Sequence, residues 1–215
     1  MTSSTRRAER TRIAVFAKAP VAGRVKTRLA PLLGEERAAR LHAQLVQRAL
    51  RTAFEAGLGD VELWCAPDES HAFFGECRTR FGTVLQRQLG RDLGERMRHA
   101  LESGTARGEH VLLIGSDCPA MTPAHLAEAA AALPGHDAVF TPAEDGGYVL
   151  VGLARALRHV FQDVAWGSDA VMASTRERLA AAGARWHEMP ALWDVDRPED
   201  YHRLHREGLL GDMAP

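Results

Sequence analysis

Short apolar segments alternate with longer amphipathic segments along this 215-residue chain. The segments "RIAVFA" (residues 12–17) and "HVLLIG" (residues 110–115) are apolar runs of strand length, bounded by polar or turn residues. Such runs are typical of strands in a parallel sheet that is covered on both faces. Between them, residues 35–56 repeat apolar side chains on one helical face and begin with two glutamates, which favour a helix N-terminus. This alternation predicts an α/β fold with right-handed crossovers.

The same criteria predict the remaining elements and one domain. The further strands expected are Val61–Cys65, Ala138–Thr141, Tyr148–Gly152 and Arg185–Met189. The further helices expected are Ser70–Arg80, Asp92–Ser103, one that starts at Pro123 after the cap Thr122, Ser168–Ala182 and Arg197–Glu207. We expect the domain to span residues 12–207, between a flexible tail at 1–11 and a C-terminal tail at 208–215.

Composition and charge exclude several function classes. The chain is 46% hydrophobic and 26% charged, and its net charge of -1 argues against bulk attraction to nucleic acid or a membrane. No apolar run approaches the roughly 20 residues of a membrane span, and the N-terminus lacks a signal-peptide pattern. Cys65, Cys77 and Cys118 form an odd set without metal-ligand spacing, which argues against a disulfide framework or a zinc site. We expect a cytoplasmic protein.

The first loop carries a concentration of positive charge. The stretch "FAKAPVAGRVKTRLAP" (residues 16–31) contains Lys18, Arg24, Lys26 and Arg28 and no acid. It follows the first strand, and ligands of such sheets bind beyond the carboxyl ends of the strands. Gly23 permits a positive φ or close backbone approach. The loop is therefore a candidate anion site, although a solvated basic turn remains open, and it lacks the spacing of a Walker A loop.

Two later loops carry candidate metal ligands. Asp117, in "LIGSDCPAMTP" (residues 113–123), lies just past a buried strand and can hold Mg²⁺ or form an Asx turn. In "LWDVDRPED" (residues 192–200), Asp194 and Asp196 point the same way in extended backbone. Asp196 also resembles the first residue of a capping box with Glu199. Of the two, we favour Asp196 as a metal ligand.

Three further segments have both structural and functional interpretations. "PAEDGGYVLVG" (residues 142–152) is a hairpin signal, but Asp145 and Tyr148 could orient an acceptor. "QLGRDLGERM" (residues 88–97) either caps a helix or binds a nucleotide base or phosphate. In "VAWGSDAV" (residues 164–171), Ser168 is a candidate N-cap, and Trp166 favours packing over recognition. The ten histidines are scattered without metal-ligand spacing and are interpreted as surface or core residues.

The order of these motifs resembles the GT-A, or nucleotide-diphospho-sugar transferase, superfamily. The resemblance covers roughly residues 12–205 and is carried by "FAKAPVAGRVKTRLAP", "GSDCPAMTP", "EDGGYVLVG" and "WDVDRPEDY". More narrowly, the sequence resembles the "transferase 1" family associated with radical-SAM and selenium-domain genes. It implies a single-domain, three-layer α/β/α sandwich around a mostly parallel sheet. Members of this fold are often homodimers, so a homodimer is an expectation from the resemblance, although no apolar seam in the sequence indicates one.

The resemblance also implies roles for individual residues. Lys26, Arg24 and Arg28 would be catalytic and stabilise a leaving pyrophosphate, so Lys26→Ala should reduce turnover far more than stability. Asp117 and Asp196 would hold Mg²⁺, or Mn²⁺ in its place. The residues expected to bind the nucleotide are Ala17, Lys18, Pro20, Gly23, Gly90, Asp92 and Arg96. The residues expected to bind the acceptor are Asp145, Gly146, Gly147, Tyr148, Trp166 and Ser168.

The reaction itself stays open between three alternatives. The run Lys26-Thr27-Arg28-Leu29 is similar to that of 2-phospholactate guanylyltransferases and molybdenum-cofactor nucleotidyltransferases, which implies transfer of a nucleoside monophosphate from a triphosphate to a small phosphorylated acceptor. Glycosyltransferases of this fold usually carry Asp-x-Asp where this chain has Ser116-Asp117-Cys118. Glycosyl transfer from a nucleotide sugar is the alternative, and a nucleotide-binding regulator without turnover is the third. The base and the acceptor are not indicated.

Overall fold

The computed structural model describes residues 10–209 and contains a seven-stranded sheet between two layers of helices. Most of both predicted tails therefore lies outside the described residues. The strands are β1 (Thr11–Lys18), β2 (Val61–Ala66), β3 (Val84–Arg87), β4 (His110–Gly115), β5 (Ala138–Pro142), β6 (Tyr148–Leu153) and β7 (Trp186–Glu188). The helices are α1 (Ala30–Leu33), α2 (Glu35–Glu55), α3 (Ala72–Phe81), α4 (Leu93–Thr105), α5 (Pro123–Ala132), α6 (Val171–Ala181) and α7 (Pro198–Arg206).

The sheet order is β3-β2-β1-β4-β6-β5-β7, and its strands are mostly parallel. β1 pairs in parallel with both β2 and β4, and β2 pairs in parallel with β3. β6 runs antiparallel to its neighbours β4 and β5, while β5 and β7 are parallel. The predicted α/β/α sandwich with a mostly parallel sheet is confirmed. The carboxyl ends of β1, β2 and β4 lie side by side, so the loops that follow them meet at one edge of the sheet.

Two apolar clusters hold the helices on the sheet. One face packs α2, α3 and α5 against β1, β2 and β4 through side chains such as Val46, Leu50 and Phe74. The other face packs α4 and α6 through Met97 and Leu179. Each fully buried aliphatic or aromatic side chain contributes about 1.5–3 kcal/mol relative to exposure. The amphipathic pattern of residues 35–56 therefore corresponds to a real buried face, and the predicted helix is confirmed to within one residue.

A third apolar cluster lies at the end of the sheet that carries the loops. Leu29, from the 3-10 turn at Thr27–Leu29, packs with Leu41 and Leu45 of α2. Trp193 and Val195, from the segment between β7 and α7, and Leu204 of α7 complete the cluster. This small core fixes the first loop against the C-terminal segment, although the two are about 170 positions apart in the sequence.

Several local predictions differ from the structure; for example, the helix expected from Ser70 begins at Ala72. β3 was not predicted, because its residues 84–87 form a short edge strand with an exposed first valine. Helix α6 begins at Val171 rather than Ser168, because the Ser168 hydroxyl donates to Ala165 O and closes a turn before the helix. Helix α7 begins at Pro198, one residue later than predicted. Among the described residues, no helix is both long enough and apolar enough to span a membrane.

At the opposite end of the sheet, Arg12 joins the buried carboxylate of Glu62 to the partly buried carboxylate of Glu109. Its guanidinium pairs with Glu62 of β2 and donates to Glu109 over 2.9 and 3.1 Å. Glu62 is 4% exposed and also accepts from Trp64 Nε1. The hydrogen bonds to Glu109 raise the pKa of Arg12, although burial opposes this shift. The hydrogen bond from Arg12 lowers the pKa of Glu109. A buried charge needs such a partner, since burial alone is costly.

We therefore expect Arg12→Met to destabilise the protein by about 3 kcal/mol, the lower end of the range for breaking a buried ion pair, because Trp64 still donates to Glu62. Urea denaturation measures the change. The control is Arg10→Met, whose exposed pair with Asp60 should contribute less than about 1 kcal/mol. Equal effects of the two substitutions would contradict the assignment of Arg12 as the internal counter-ion.

Candidate functional site

The first loop leaves β1 at Lys18 and turns back through two left-handed residues. Gly23 has φ +73°, as expected of a glycine at a sharp turn. Lys26 has φ +49° although it is not a glycine. A non-glycine residue in this region is uncommon and requires support from its surroundings. Its side chain supplies that support.

Lys26 is the contact point of three loops that are distant in sequence. Its side chain is 4% exposed, and its ammonium lies 2.8 Å from Asp117 Oδ2. The same ammonium donates to Val195 O over 2.5 Å. Val195 N in turn donates to the main-chain carbonyl of Asp117 over 2.9 Å. The loops after β1, β4 and β7 are therefore joined by one buried cation and one backbone hydrogen bond.

Asp117 lies in a strongly cationic environment. Burial opposes its ionisation, but the Lys26 ammonium, together with the nearby imidazole of His42, outweighs that cost and lowers the pKa of Asp117 below the usual range. His42 Nε2 donates to the carbonyl of Lys18 over 3.0 Å, and Nδ1 lies 3.5 Å from Asp117 Oδ1. The Ser116 hydroxyl donates to the same carboxylate over 3.2 Å. Asp117 is thus ionised, held from three sides and still 38% exposed.

Asp196 pairs with another cation of the first loop, Arg28. The predicted capping box between Asp196 and Glu199 is wrong. Asp200 instead reaches back and accepts from the main-chain N–H groups of Asp196 and Arg197, over 3.0 and 2.7 Å. This shift by one residue leaves the Asp196 carboxylate, 39% exposed, directed to the loops rather than to the helix end.

These side chains line one cavity of about 520 Å³ at the carboxyl edge of the sheet. The structure brings seven of the predicted site residues together in its wall: Ala17, Lys18, Arg24, Lys26, Arg28, Asp117 and Asp196. Its formal charge is positive, since four cations face two carboxylates. Asp117 and Asp196 lie on the same cavity, so the convergence expected of these distant loops is present.

The residues of this wall that were not predicted from the sequence include three from outside the first loop and the Asp117 loop. His42 comes from the buried face of α2, where nothing in linear spacing marks it. Gln88 is buried and donates to Trp64 O and Ala17 O over 2.8 and 3.3 Å. Leu93 lies at the start of α4 and is 45% exposed. The segment at 88–97 was singled out in the sequence, but through its glycines and charged residues rather than through these two.

Several residues that were predicted to bind the nucleotide have roles in local structure. Asp92 caps α4 by accepting from Glu95 N over 2.8 Å, which favours the helix-cap interpretation. Gly90 has φ +147°, and a Cβ there would lie 2.7 Å from Arg96 N. Arg96 donates to Gly90 O over 3.2 Å and lines a neighbouring cavity of about 450 Å³ with Lys18 and Arg24. Pro20 is not in the wall of the larger cavity.

A second cavity of about 340 Å³ adjoins the first and shares Arg28 and Asp196 with it. Asp145, from the turn between β5 and β6, and Asp194 line its wall. Burial, with repulsion from Asp145 and Asp117, raises the pKa of Asp194 to about 6. Carboxylates therefore crowd this side of the site.

The turn that carries Asp145 is packed against the start of α6. Asp145 Oδ1 accepts from Gly147 N over 3.0 Å. Gly146 has φ +92°, and a Cβ there would lie 2.1 Å from Asp169 O, so only glycine fits. Asp145 thus lines a cavity, while Gly146 and Gly147 shape the turn that holds it.

The remaining predicted acceptor residues lie in the packing between β6, α4 and the segment before α6. Tyr148 contacts Phe140 and Trp166 edge to face, with ring centroids 5.2 and 6.4 Å apart. Its hydroxyl is buried without a hydrogen-bond partner among the described residues, and burial raises its pKa. Trp166 packs on Gly94, where a Cβ would come within 2.6 Å of the indole. Tyr148, Trp166 and Ser168 are absent from the walls of both cavities.

The residues at the first cavity are compatible with a divalent metal ion. Within residues 10–209, no group of three or more histidine, cysteine or acidic side chains converges as a self-sufficient metal cluster. Mg²⁺, however, is commonly held by one or two carboxylates together with substrate phosphates and water. Asp117 and Asp196 would supply two hard carboxylate ligands from facing loops, and each side chain is more than one-third exposed. The donor set therefore fits Mg²⁺ or Mn²⁺ shared with a phosphate ligand.

Solved structures share this fold. A protein from Desulfovibrio desulfuricans G20, provisionally named a nucleotide-diphospho-sugar transferase, is 31% identical with a TM-score of 0.84, over 93% of this chain and 88% of that chain. A nucleotidyl transferase from Methanothermobacter is 16% identical with a TM-score of 0.64, over 94% and 98%. A CMP:2-keto-3-deoxy-manno-octonic acid synthetase complexed with CTP is 13% identical with a TM-score of 0.60, over 95% and 100%. At the identities of the last two, the likeness shows the fold alone.

The fold expected from the resemblance to GT-A and nucleotide-diphospho-sugar transferases is thus confirmed. No curated protein sequence matches this chain. The model of one protein family matches residues 49–168, which is more than half of the chain and includes the Asp117 loop and the Asp145 turn. The chain therefore belongs to the family described as "Uncharacterized protein conserved in bacteria (DUF2064)".

Proposed function

We propose that this protein is a metal-dependent nucleotidyltransferase, which moves a nucleoside monophosphate from a nucleoside triphosphate to a small acceptor and releases pyrophosphate. The observation that carries the proposal is the cavity in which four cations of the first loop face Asp117 and Asp196. A polyphosphate needs that positive charge, and a phosphate-bound metal ion needs the two carboxylates. The structural likeness to transferases that use nucleotides supports the same conclusion.

The cations divide into two pairs with different surroundings. Lys18 and Arg24 are exposed at the cavity, so their charged groups can reach phosphate oxygens without disturbing the core. Lys26 and Arg28 are already paired with Asp117 and Asp196. The expectation that Lys26 serves turnover with little role in stability needs revision, because its ammonium is buried and joins three loops.

These pairings make phosphate and metal binding interdependent. A phosphate that binds Arg28 competes with the Asp196 carboxylate for the guanidinium. If Asp196 binds the metal ion instead, Arg28 loses its counter-ion. When both ligands bind, each group of the pair receives a new partner of opposite charge. The cavity therefore favours the triphosphate and the metal together over either alone.

Catalysis by these residues is positioning and charge neutralisation. Arg24 and Arg28 would bind the β- and γ-phosphates, which hold the negative charge of the leaving pyrophosphate. Asp117 and Asp196 would hold the metal ion, which supplies Lewis-acid stabilisation at the phosphate. An acceptor in the second cavity, next to Asp196, would lie beside the reacting phosphate, and a well-oriented acceptor lowers the entropic cost of the reaction.

Transfer of a sugar from a nucleotide sugar is the second candidate. The name of the 31% identical Desulfovibrio protein favours it. The central loop opposes it, because Ser116-Asp117-Cys118 offers one acid where Asp-x-Asp is usual for glycosyltransferases of this fold. Both reactions would use the same nucleotide cavity, and they differ in the leaving group.

A ligand panel tests the proposed function. We expect a nucleoside triphosphate with Mg²⁺ to raise the melting temperature by more than the sum of the two separate shifts, because each ligand replaces the counter-ion that the other displaces. With an acceptor mixture, the same triphosphate should yield pyrophosphate. Diphosphate release from a nucleotide sugar would favour the second candidate. Stabilisation without any product would favour a regulator, and the absence of any nucleotide-dependent shift would contradict all three.

Arg24→Gln separates catalysis from stability. We expect turnover to fall on the order of 10²-fold, as for removal of one preorganised donor to the transition state. The melting temperature should stay within about 2 °C, since exposed substitutions away from special contacts change stability little. The matched control is Arg107→Gln, an exposed arginine next to the amino end of β4, which should leave turnover unchanged. Equal turnover in the two variants would remove Arg24 from the site.

A further inference from the structure

We infer that the acceptor is a neutral or cationic hydroxyl-bearing molecule, such as a sugar or an amino sugar, rather than a phosphate ester. This inference rests on the proposed function, because it assigns the second cavity to the acceptor. It departs from the phosphorylated acceptor that the sequence resemblance implies.

The two adjoining cavities have opposite charge. Four cations and two carboxylates line the larger cavity. Five carboxylates and two guanidinium groups line the smaller cavity, in which Trp193 is the aromatic residue. A polyphosphate is complementary to the first wall and repelled by the second. The two substrates of a transfer reaction are thus separated by charge at the shared residues Arg28 and Asp196.

Three of the five carboxylates either pair with an arginine or accept two main-chain N–H groups. Asp196 is paired with Arg28. Asp200 accepts the two N–H groups at the start of α7. Glu144 lies 2.8 Å from Arg203, whose guanidinium also lies 4.5 Å from the centre of the Trp193 ring. Glu144 and Asp200 therefore build the wall, and Asp196 is the proposed metal ligand, so none of the three is assigned to the acceptor.

Asp145 and Asp194 are the carboxylates left to meet an acceptor. Within residues 10–209, no cationic side chain lies within ion-pair distance of either. Asp145 uses Oδ1 for Gly147 N, so its second oxygen can accept from a ligand. An ionised carboxylate only accepts hydrogen bonds, so its natural ligands are hydroxyl and ammonium groups. A phosphate ester would add a third negative charge next to Asp145 and Asp194 and would be repelled by them.

The size of the cavity agrees with a small acceptor. At about 340 Å³ it lies near the lower end of ligand pockets, roughly 300–1,000 Å³. The exposed Arg197 is the remaining cation of the wall, outside the pair formed by Arg28 and Asp196. Because the single guanidinium of Arg197 faces the two carboxylates of Asp145 and Asp194, the net charge of the second cavity is negative.

The test uses three probes of one carbon frame: glucosamine, glucose and glucose 6-phosphate, which are cationic, neutral and anionic. Their dissociation constants are measured by saturation-transfer NMR on the full chain with Mg²⁺ and the triphosphate that stabilises it most. We expect the first two to bind at least about 10-fold more tightly than the phosphate ester, because like charges in contact are strongly disfavoured.

The variant Asp145→Asn keeps an oxygen for Gly147 N and removes one charge. We expect it to reduce the preference against glucose 6-phosphate at least about threefold, while nucleotide binding stays unchanged. Tightest binding of the phosphate ester by the natural chain would overturn the inference, as would failure of all three probes to bind. If no nucleotide stabilises the protein, the proposed function fails instead, and the order of the three probes, measured without nucleotide, still tests the charge of the cavity.

Discussion

The buried ammonium of Lys26 is the interaction on which the geometry of the candidate site depends. It meets Asp117 and the carbonyl of Val195, so one side chain of the first loop fixes the loop after β4 and the segment before α7. The apolar cluster of Leu29, Trp193 and their neighbours lies beneath it and supplies burial that an ion pair alone would lack. The left-handed backbone of Lys26 is sustained by these contacts.

Charge is distributed along the site rather than concentrated at one point. The first cavity is cationic, the second is anionic, and the pair of Arg28 and Asp196 lies between them. A reaction that joins an anionic nucleotide to a second molecule benefits from such separation, because each substrate is repelled from the wrong place. The same arrangement explains why the net charge of -1 carries no information about the site, since opposite local charges cancel in the sum.

Much of the fold could be predicted from the sequence because its strongest patterns are local. "RIAVFA" and "HVLLIG" are central strands, and the apolar face of residues 35–56 is buried as its periodicity indicates. Strand β3 was missed because four residues at a sheet edge carry no such pattern. The capping box of α7 was predicted between Asp196 and Glu199, but it lies one residue later. The Asp200 carboxylate accepts from the main-chain N–H of Arg197, three residues before it, and the sequence does not distinguish this pairing from the predicted one. Boundaries set by competing side chains depend on tertiary contacts.

The sequence predicted the candidate site only in the loops that follow the carboxyl ends of strands. Asp117, Arg28 and Asp196 follow from that rule and line one cavity. His42 was not predictable, because its contact with Asp117 depends on how α2 packs. The resemblance implied acceptor roles for Tyr148 and Trp166, whereas the structure places their rings in mutual packing contact, which the sequence alone already favoured for Trp166. A motif gives the residue type at a position, but the side-chain direction comes from the packing.

Paramagnetic relaxation by Mn²⁺ in the presence of a nucleoside triphosphate tests the central claim most directly. We predict that the backbone amide signals of Lys26, Asp117 and Asp196 broaden together at substoichiometric metal. The amides of Asp60 and Glu109, next to the amino ends of β2 and β4, should stay sharp. Broadening centred elsewhere, or broadening of the Asp117 loop without the Asp196 segment, would contradict a metal–nucleotide site at the junction of these loops.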